Sequence, residues 1–143
     1  MATGTDAALV ASELRDVLAH LLRRLRAQNG LPLMHGAVLG RLDRCGPKSV
    51  SELAASERVR PQSMAQTVNE LEAEALVGRR PDPDDGRRAL VDLTEKGRDV
   101  LNGDRRRRDG WLAQALEDDL SPDEQAVLTQ AVELLRRLAE RPA

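Results

Sequence analysis

The chain has 143 residues, enough for one domain with a hydrophobic core and too few for two ordinary domains. Aromatic residues make up 1% of it, with Trp111 alone and no Phe or Tyr, which excludes the base-stacking platforms of single-strand binders. The net charge is −2, but the acidity is concentrated after residue 110, where there are seven carboxylates and three arginines, so a local basic surface remains possible.

The sequence also bears on where the protein is located and on whether it contains a disulfide. No apolar run approaches the length of a membrane span, no targeting segment stands at the N-terminus, and there is one cysteine. These features predict a soluble cytoplasmic protein with no membrane association and no intrachain disulfide.

The first half of the chain is predicted to form four helices. Apolar residues at helical spacing indicate helices over about Ala7–Ala27 and Leu33–Arg44. Ser49 and Glu52 have the spacing of a capping box, which starts a short third helix. A proline suits the first position of a helix, so the fourth is predicted to cover about Pro61–Ala75.

The second half is predicted to contain a hairpin and two helices. Leu76–Arg80 and Arg87–Leu93 are the predicted strands, with a turn at Asp82–Gly86. Thr94 is placed to cap a long helix to about residue 118. The last helix follows Ser121 and runs to about residue 140. Two short helices followed at once by a hairpin predict a mainly α, winged helix-turn-helix fold with a two-stranded wing.

The fourth helix has two distinct faces. One stripe is apolar and is predicted to be buried: Met64, Val68, Leu71 and Ala75. The opposite side carries Gln62, Gln66 and Asn69, flanked by Ser63 and Glu70. Amides can pair bidentately with adenine in the major groove, and a serine hydroxyl can pair with a donor or an acceptor. An exposed polar face without function is the alternative, and the hairpin that follows favours DNA recognition.

Ser49–Gly97 resembles the MarR family of bacterial transcription regulators. The resemblance is carried by the proline-started helix, by Asp85-Gly86-Arg87 as D-x-R in the wing, and by Leu93-Thr94-Glu95-Lys96-Gly97 as L-T-x-x-G after it. It extends over about Leu31–Leu138. It implies a homodimer with interleaved first, fifth and sixth helices, a recognition helix in each major groove and a wing in the adjacent minor groove. It also implies a repressor with a palindromic double-stranded DNA operator and a small-molecule effector.

The resemblance also implies how the chain is organised. Residues 1–143 form a single domain, with about 33–94 for DNA binding and about 7–32 and 95–140 as dimerisation helices. The sequence departs from the family pattern at two places, the start of the recognition helix and the usual ligand pocket. Arg60 replaces the usual Ser or Thr cap of the recognition helix, so a phosphate contact is gained where a cap is lost. Pro32 and Gly36 replace a cap and an aromatic residue near the usual ligand pocket.

The wing supplies the predicted minor-groove contact. Arg87 is expected to enter a narrow minor groove because of its enhanced negative potential. Asp85 is expected to hold the Arg87 guanidinium by a charge-assisted bond. The remaining arginines of the hairpin are expected to follow phosphates, whereas a solvated turn with a surface ion pair is the alternative. The predicted DNA-binding residues are therefore Arg60, Gln62, Ser63, Gln66, Thr67, Arg79, Arg80, Asp85, Arg87 and Arg88.

Other features leave alternatives open. Cys45 is expected to be a small core residue, although a thiol-based redox-sensing regulator acting through Cys45 remains an alternative. A second alternative function is a winged-helix protein-interaction module that has lost DNA binding. Arg105–Arg108 covers more than one helical turn and is interpreted as a solvated segment. His20 and His35 lack ligands at metal-binding spacing, and no nucleotide loop or nucleophile motif is present, so no enzyme, metal or cofactor is predicted.

Overall fold

The computed structural model describes residues 4–143, which form six helices and one antiparallel hairpin. In chain order these are α1 (Ala7–Arg26), α2 (Leu33–Cys45), α3 (Val50–Glu57), α4 (Pro61–Ala73), β1 (Val77–Pro81), β2 (Ala89–Leu93), α5 (Glu95–Asp119) and α6 (Pro122–Ala139). The predicted mainly α, winged helix-turn-helix fold is confirmed. The chain divides into one unit that ends at Arg108 and a second unit, Asp109–Ala143. Within the described residues, no helix is long and apolar enough to cross a membrane.

The core of the first unit lies between α2, α3, α4 and the hairpin. Its buried side chains are aliphatic or Met, as the composition requires: Val38, Leu39, Leu42, Leu53, Ala54, Met64, Val68, Leu71, Leu76, Val77, Val91 and Leu101. The predicted apolar stripe of α4 is buried at three positions, but Ala75 is exposed. The fourth position differs because α4 ends at Ala73 and Ala75 adopts a left-handed φ of 60°.

Local signals set the starts of α3 and α4. The Ser49 hydroxyl accepts a hydrogen bond from the backbone N–H of Glu52 at 3.1 Å, so the predicted cap of α3 is present. At the tight turn into α4, Arg58 has a left-handed φ of 56°, and Val59 N donates to the Ala54 carbonyl at 3.0 Å. Arg60 precedes α4 without a side-chain capping bond, as predicted.

The junction between the hairpin and α5 explains the Leu93–Gly97 motif. The Thr94 hydroxyl accepts from Gly97 N at 3.0 Å and donates to the Ala75 carbonyl at 2.6 Å. A Cβ on Gly97 would lie 2.0 Å from the Leu76 carbonyl oxygen, so only glycine allows α5 to start this close to the hairpin. The motif therefore fixes the base of the wing to the first turn of α5.

The hairpin is shifted relative to its predicted boundaries. Its register runs from Val77 opposite Leu93 to Pro81 opposite Ala89. The predicted strand start at Arg87 is wrong, because Arg88 N donates to the Asp85 carbonyl at 3.0 Å and belongs to the turn. Hereafter, residues 82–88 are called the wing tip.

Apolar side chains remain exposed on two helices. On α1 they are Leu9, Val10, Val17, Leu18, Leu21 and Leu22, and on α6 they are Val127, Leu128, Val132, Leu134 and Leu138. In the second unit, α6 starts with the predicted capping box between Ser121 and Glu124. Gln125 donates to the carbonyls of Leu116 and Leu120, both at 3.2 Å, which closes the turn between α5 and α6.

Candidate nucleic-acid interface

The outward face of α4 carries the residues predicted to contact bases. Gln62, Ser63 and Gln66 are exposed on one side of the helix. Gln66 donates to Glu70 at 3.4 Å, one turn later. Thr67 differs from these three, because it is half-buried and its hydroxyl donates to the Ser63 carbonyl at 3.2 Å.

The second half of α4 is held by neighbouring elements. Arg79 of β1 donates to the Asn69 side chain and pairs with Glu72 at 3.3 Å. Buried His35 of α2 contacts Glu70 at 2.8 Å. The polar groups without such tertiary partners therefore lie in the N-terminal half of α4, the part of a recognition helix that reaches base edges in helix-turn-helix proteins.

Arg87 is the predicted minor-groove residue. Within residues 4–143 its guanidinium makes no hydrogen bond or ion pair. The predicted bond between the Asp85 carboxylate and this guanidinium is wrong: Asp85 instead accepts from the backbone N–H of Arg87 at 3.1 Å. A carboxylate two residues before an N–H closes an Asx turn, so Asp85 sets the backbone of Arg87 and leaves its side chain open.

The other arginines of the hairpin have partners. Arg79 is bound to α4, and exposed Arg80 lies 3.8 Å from Asp92. Arg88 bridges two carboxylates, at 3.1 Å from Asp82 and 2.8 Å from Glu52 of α3. Arg87 therefore has the guanidinium in this hairpin that is most available to a ligand.

The bridge around Arg88 shifts three pKa values. The backbone N–H of Asp84 lowers the pKa of Asp82, and Arg88 lowers it further, which outweighs the opposing effect of burial. Burial acts to raise the pKa of Glu52, but hydrogen bonds from Ser49 and the Arg88 charge outweigh it, so this pKa is also below its ordinary value. The hydrogen bond to Asp82 raises the pKa of Arg88. All three groups are thus held in their charged forms.

Sequence reasoning missed several of these tertiary contacts. The spacing of Ser49 and Glu52 identified a helix cap, but nothing local indicated that the same Glu52 contacts the wing tip. His35 was considered only as a metal ligand, whereas it is buried against Glu70. In both cases the partner comes from a distant part of the chain, so no pattern of local spacing could reveal it.

The first unit also contains a cavity of about 360 Å³ with a cationic lining. Its arginines are Arg26, Arg41, Arg44, Arg105 and Arg108. The Asn29 Oδ1 atom at this cavity is buried and has no hydrogen-bond partner among residues 4–143. The Arg105–Arg108 run is not uniformly solvated, because its first and last members line the cavity while the middle two are exposed. Gly36 also lines it, where the family pattern has an aromatic residue.

Cys45 lies at the C-terminal end of α2. The prediction that it is a core residue is wrong, since Cys45 is exposed and its thiol is free. The buried residues of α2 end at Leu42, one turn earlier. The helix end therefore carries the thiol into solvent in this chain.

The fold and this interface define a winged helix-turn-helix DNA-binding protein. Residues 29–88 match the model of the MarR family. The HTH-type transcriptional regulator MT0903.1 of Mycobacterium tuberculosis is 35% identical over 136 residues, covering 93% of this chain and 94% of that relative. The chain belongs to the MarR family, whose members are non-enzymatic transcriptional regulators that bind DNA and act as dimers.

Solved structures agree with this membership. A crystal structure from Pseudomonas aeruginosa, assigned as a transcriptional regulator, aligns with a TM-score of 0.84 and 35% identity, covering 95% of this chain and 96% of the other. The structure of a MarR family protein from Bacillus stearothermophilus aligns with a TM-score of 0.73 and 23% identity, covering 94% and 95%. The second likeness concerns the fold alone.

Proposed function

We propose that this regulator is a homodimeric repressor that binds a palindromic operator in double-stranded DNA and is released by a small molecule. The observation that carries the proposal is the distribution of free polar groups. Gln62, Ser63 and Gln66 are exposed in the N-terminal half of α4, and the Arg87 guanidinium is unpaired at the wing tip. These are the groups that a major groove and an adjacent minor groove would engage.

The predicted site residues have distinct roles in this proposal. Gln62, Ser63 and Gln66 contact base edges, and Thr67 contributes at the border of the buried face. Arg87 enters the minor groove, with its backbone set by Asp85. Phosphates are contacted by exposed arginines at the start of α4 and along β1, namely Arg60, Arg79 and Arg80. Arg88, also predicted as a phosphate contact, is instead bound by the carboxylates of Asp82 and Glu52.

The exposed apolar helices support the homodimer. In the first unit, 63% of the surface of Val17 on α1 is exposed to solvent. In the second unit, 66% of the surface of Val127 on α6 is exposed. Such stripes are costly to leave in water, at roughly 25 cal/mol per Å² of apolar surface. A second copy that covers them would also supply the second recognition helix that a palindrome requires.

The cationic cavity is the proposed effector site. Its volume of about 360 Å³ is within the range that holds small ligands. Its five arginines outnumber the two carboxylates of the lining, Glu57 and Asp104, which favours an anionic ligand. The Asn29 oxygen, without a partner among residues 4–143, could accept a hydrogen bond from the same molecule. Because α2 forms one wall of the cavity and contacts α4 through His35, a ligand there can affect the recognition helix.

Operator binding is tested with DNA from the region upstream of the protein's own gene. Affinity is measured at two salt concentrations on this DNA and on a version with scrambled half-sites. We expect a strong preference for the native sequence and a steep loss of affinity with salt, because phosphate contacts release counterions. A flat salt response without sequence preference would instead identify a protein-interaction module.

The exposed Cys45 thiol favours a second candidate, in which oxidation is the releasing signal. Peroxide treatment of the wild type and of Cys45→Ser separates the two candidates. Release by peroxide that disappears in the variant would assign the signal to the thiol. Operator binding unaffected by peroxide would leave the cationic cavity as the effector site.

A further inference from the structure

We propose that Glu52 of α3 is a positioning residue for minor-groove recognition, because it holds the wing tip through Arg88 so that Arg87 is presented to DNA. The inference rests on the proposed function of the wing. It assigns a role in recognition to a residue outside both the recognition helix and the wing. It also replaces the predicted phosphate contact of Arg88 with a role inside the protein.

The bridge joins the wing tip to α3. One nitrogen of the Arg88 guanidinium, Nη2, lies 2.8 Å from Glu52 and 3.1 Å from Asp82, and Nε lies 3.2 Å from Asp82. The Asp82 side chain is only 7% exposed, and its second oxygen accepts from Asp84 N at 2.9 Å. A single carboxylate thus shapes the turn and fixes Arg88.

The other end of the bridge is anchored in the helix-turn-helix. Glu52 accepts from the buried Ser49 hydroxyl at 3.1 Å. Immediately before it, Lys48 pairs with β2: Lys48 N donates to the Val91 carbonyl at 3.0 Å, and Val91 N donates to the Lys48 carbonyl at 2.7 Å. The start of α3, the middle of β2 and the wing tip therefore form one connected network, and Arg87 is the residue directly before its Arg88 member.

Charge balance argues against a phosphate role for Arg88. Its guanidinium already has two carboxylate partners, and with Lys48, 3.7 Å from Glu52, the cluster has no net charge and attracts a phosphate weakly. In the part of the chain that the structure describes, Arg87 has no carboxylate partner. Positioning and simple electrostatics consequently make opposite predictions for Glu52→Gln, which removes a negative charge from the DNA-facing side.

The decisive variants are Glu52→Gln and Arg88→Lys. If the bridge positions Arg87, Glu52→Gln should weaken operator binding by about five- to tenfold, the scale of one ordinary hydrogen bond. The same substitution in an Arg87→Ala background should cause no further loss, since it acts only through Arg87. Arg88→Lys should weaken binding as well, because an ammonium keeps the charge but lacks the fork that bridges two carboxylates.

A measurement without DNA tests the same network. The amide of Gly86 lies in the wing tip, so its ¹⁵N relaxation reports the order of that segment. Glu52→Gln should increase its motion. Asp99→Asn is the control: it removes the same charge from an exposed position of α5 that, among residues 4–143, makes no ion pair with the wing. The control should leave both Gly86 motion and operator binding unchanged.

Several results would overturn the inference while the proposed function stands. They are tighter or unchanged operator binding by Glu52→Gln, an equal loss in the Arg87→Ala background, full binding by Arg88→Lys, or unchanged Gly86 relaxation. If Glu52→Gln fails to fold, as judged by urea unfolding, Arg88→Lys in the Arg87→Ala background decides: positioning predicts no further loss of binding, whereas a phosphate contact predicts one. Wild-type protein that does not prefer its operator would overturn the proposed function and, with it, this inference.

Discussion

At the residue scale, Gln66 is the clearest base-reading candidate. It is exposed near the middle of α4, and Glu70 accepts one of its amide protons. That contact leaves the carbonyl and the second N–H of the amide for a base edge. Gln66→Ala should therefore relax preference at one base position in each half-site, at a cost of about 1–3 kcal/mol per bidentate contact.

Competition binding against operators mutated one position at a time checks this prediction. The matched control is Gln114→Ala, which removes an exposed amide that bonds Asp118 on α5. The control should leave the preference for each base of the operator unchanged. Equal weakening by Gln66→Ala on every sequence would mean that Gln66 does not read a base.

Ala75 gives a second prediction at this scale. Its φ of 60° is unfavourable for a residue with a Cβ, and it follows the C-terminal end of α4, where glycine is the common residue. Ala75→Gly should raise the free energy of unfolding by about 0.5–1 kcal/mol, measured by urea denaturation. Ala65→Gly, in the interior of α4, should lower it by a similar amount. A loss of stability in Ala75→Gly would refute the strain at this position.

At the scale of elements, the wing tip depends on ionised carboxylates. The pKa values of Asp82 and Glu52 lie below their ordinary values, so their contribution to stability is fully present above the unfolded pKa of about 4. It is lost as the pH falls from there through the lower folded values. Wild type should therefore be more stable than Asp82→Asn at pH 6, and this difference should shrink on acidification below about pH 4. A difference that stays constant down to pH 2 would contradict this assignment.

The same element shows what the sequence could and could not predict. Helix starts follow from short-range chemistry, so Ser49, Pro61 and Ser121 were sufficient to locate them. The outer face of α4 can also be predicted from the sequence, because the spacing of its residues follows from helix geometry. The partners of the wing arginines cannot be predicted in this way. Glu52 lies 36 positions before Arg88 in the chain, and only the fold brings the two residues together.

At the scale of the whole molecule, the proposed homodimer covers the exposed apolar stripe of α1. Val17→Asp places a charge in that stripe and should shift the protein toward monomer and weaken operator binding, because one recognition helix then reads only one half-site. Ala19→Asp adds the same charge to an exposed position off the apolar stripe of α1 and should leave the dimer intact. Light scattering at micromolar concentration checks both. If the wild-type protein is monomeric at micromolar concentration, the proposed homodimer is wrong.

The net charge of −2 makes the salt response of the whole molecule informative. A protein with an acidic balance can bind DNA tightly only through a local cationic surface, and we propose that this surface centres on the wing. Each phosphate-neutralising arginine contributes roughly one unit to the slope of log affinity against log salt. The contribution of a single arginine to phosphate binding can therefore be measured as a change in this slope.

The most direct measurement is operator affinity across a salt series for wild type, Arg87→Ala and the exposed control Arg106→Ala. We expect a steep slope for wild type and the control. For Arg87→Ala we expect weaker binding and a slope reduced by about one unit per displaced counterion. If Arg87→Ala bound the operator with wild-type affinity and an unchanged slope, Arg87 would not contact DNA, and the proposed minor-groove contact would be wrong.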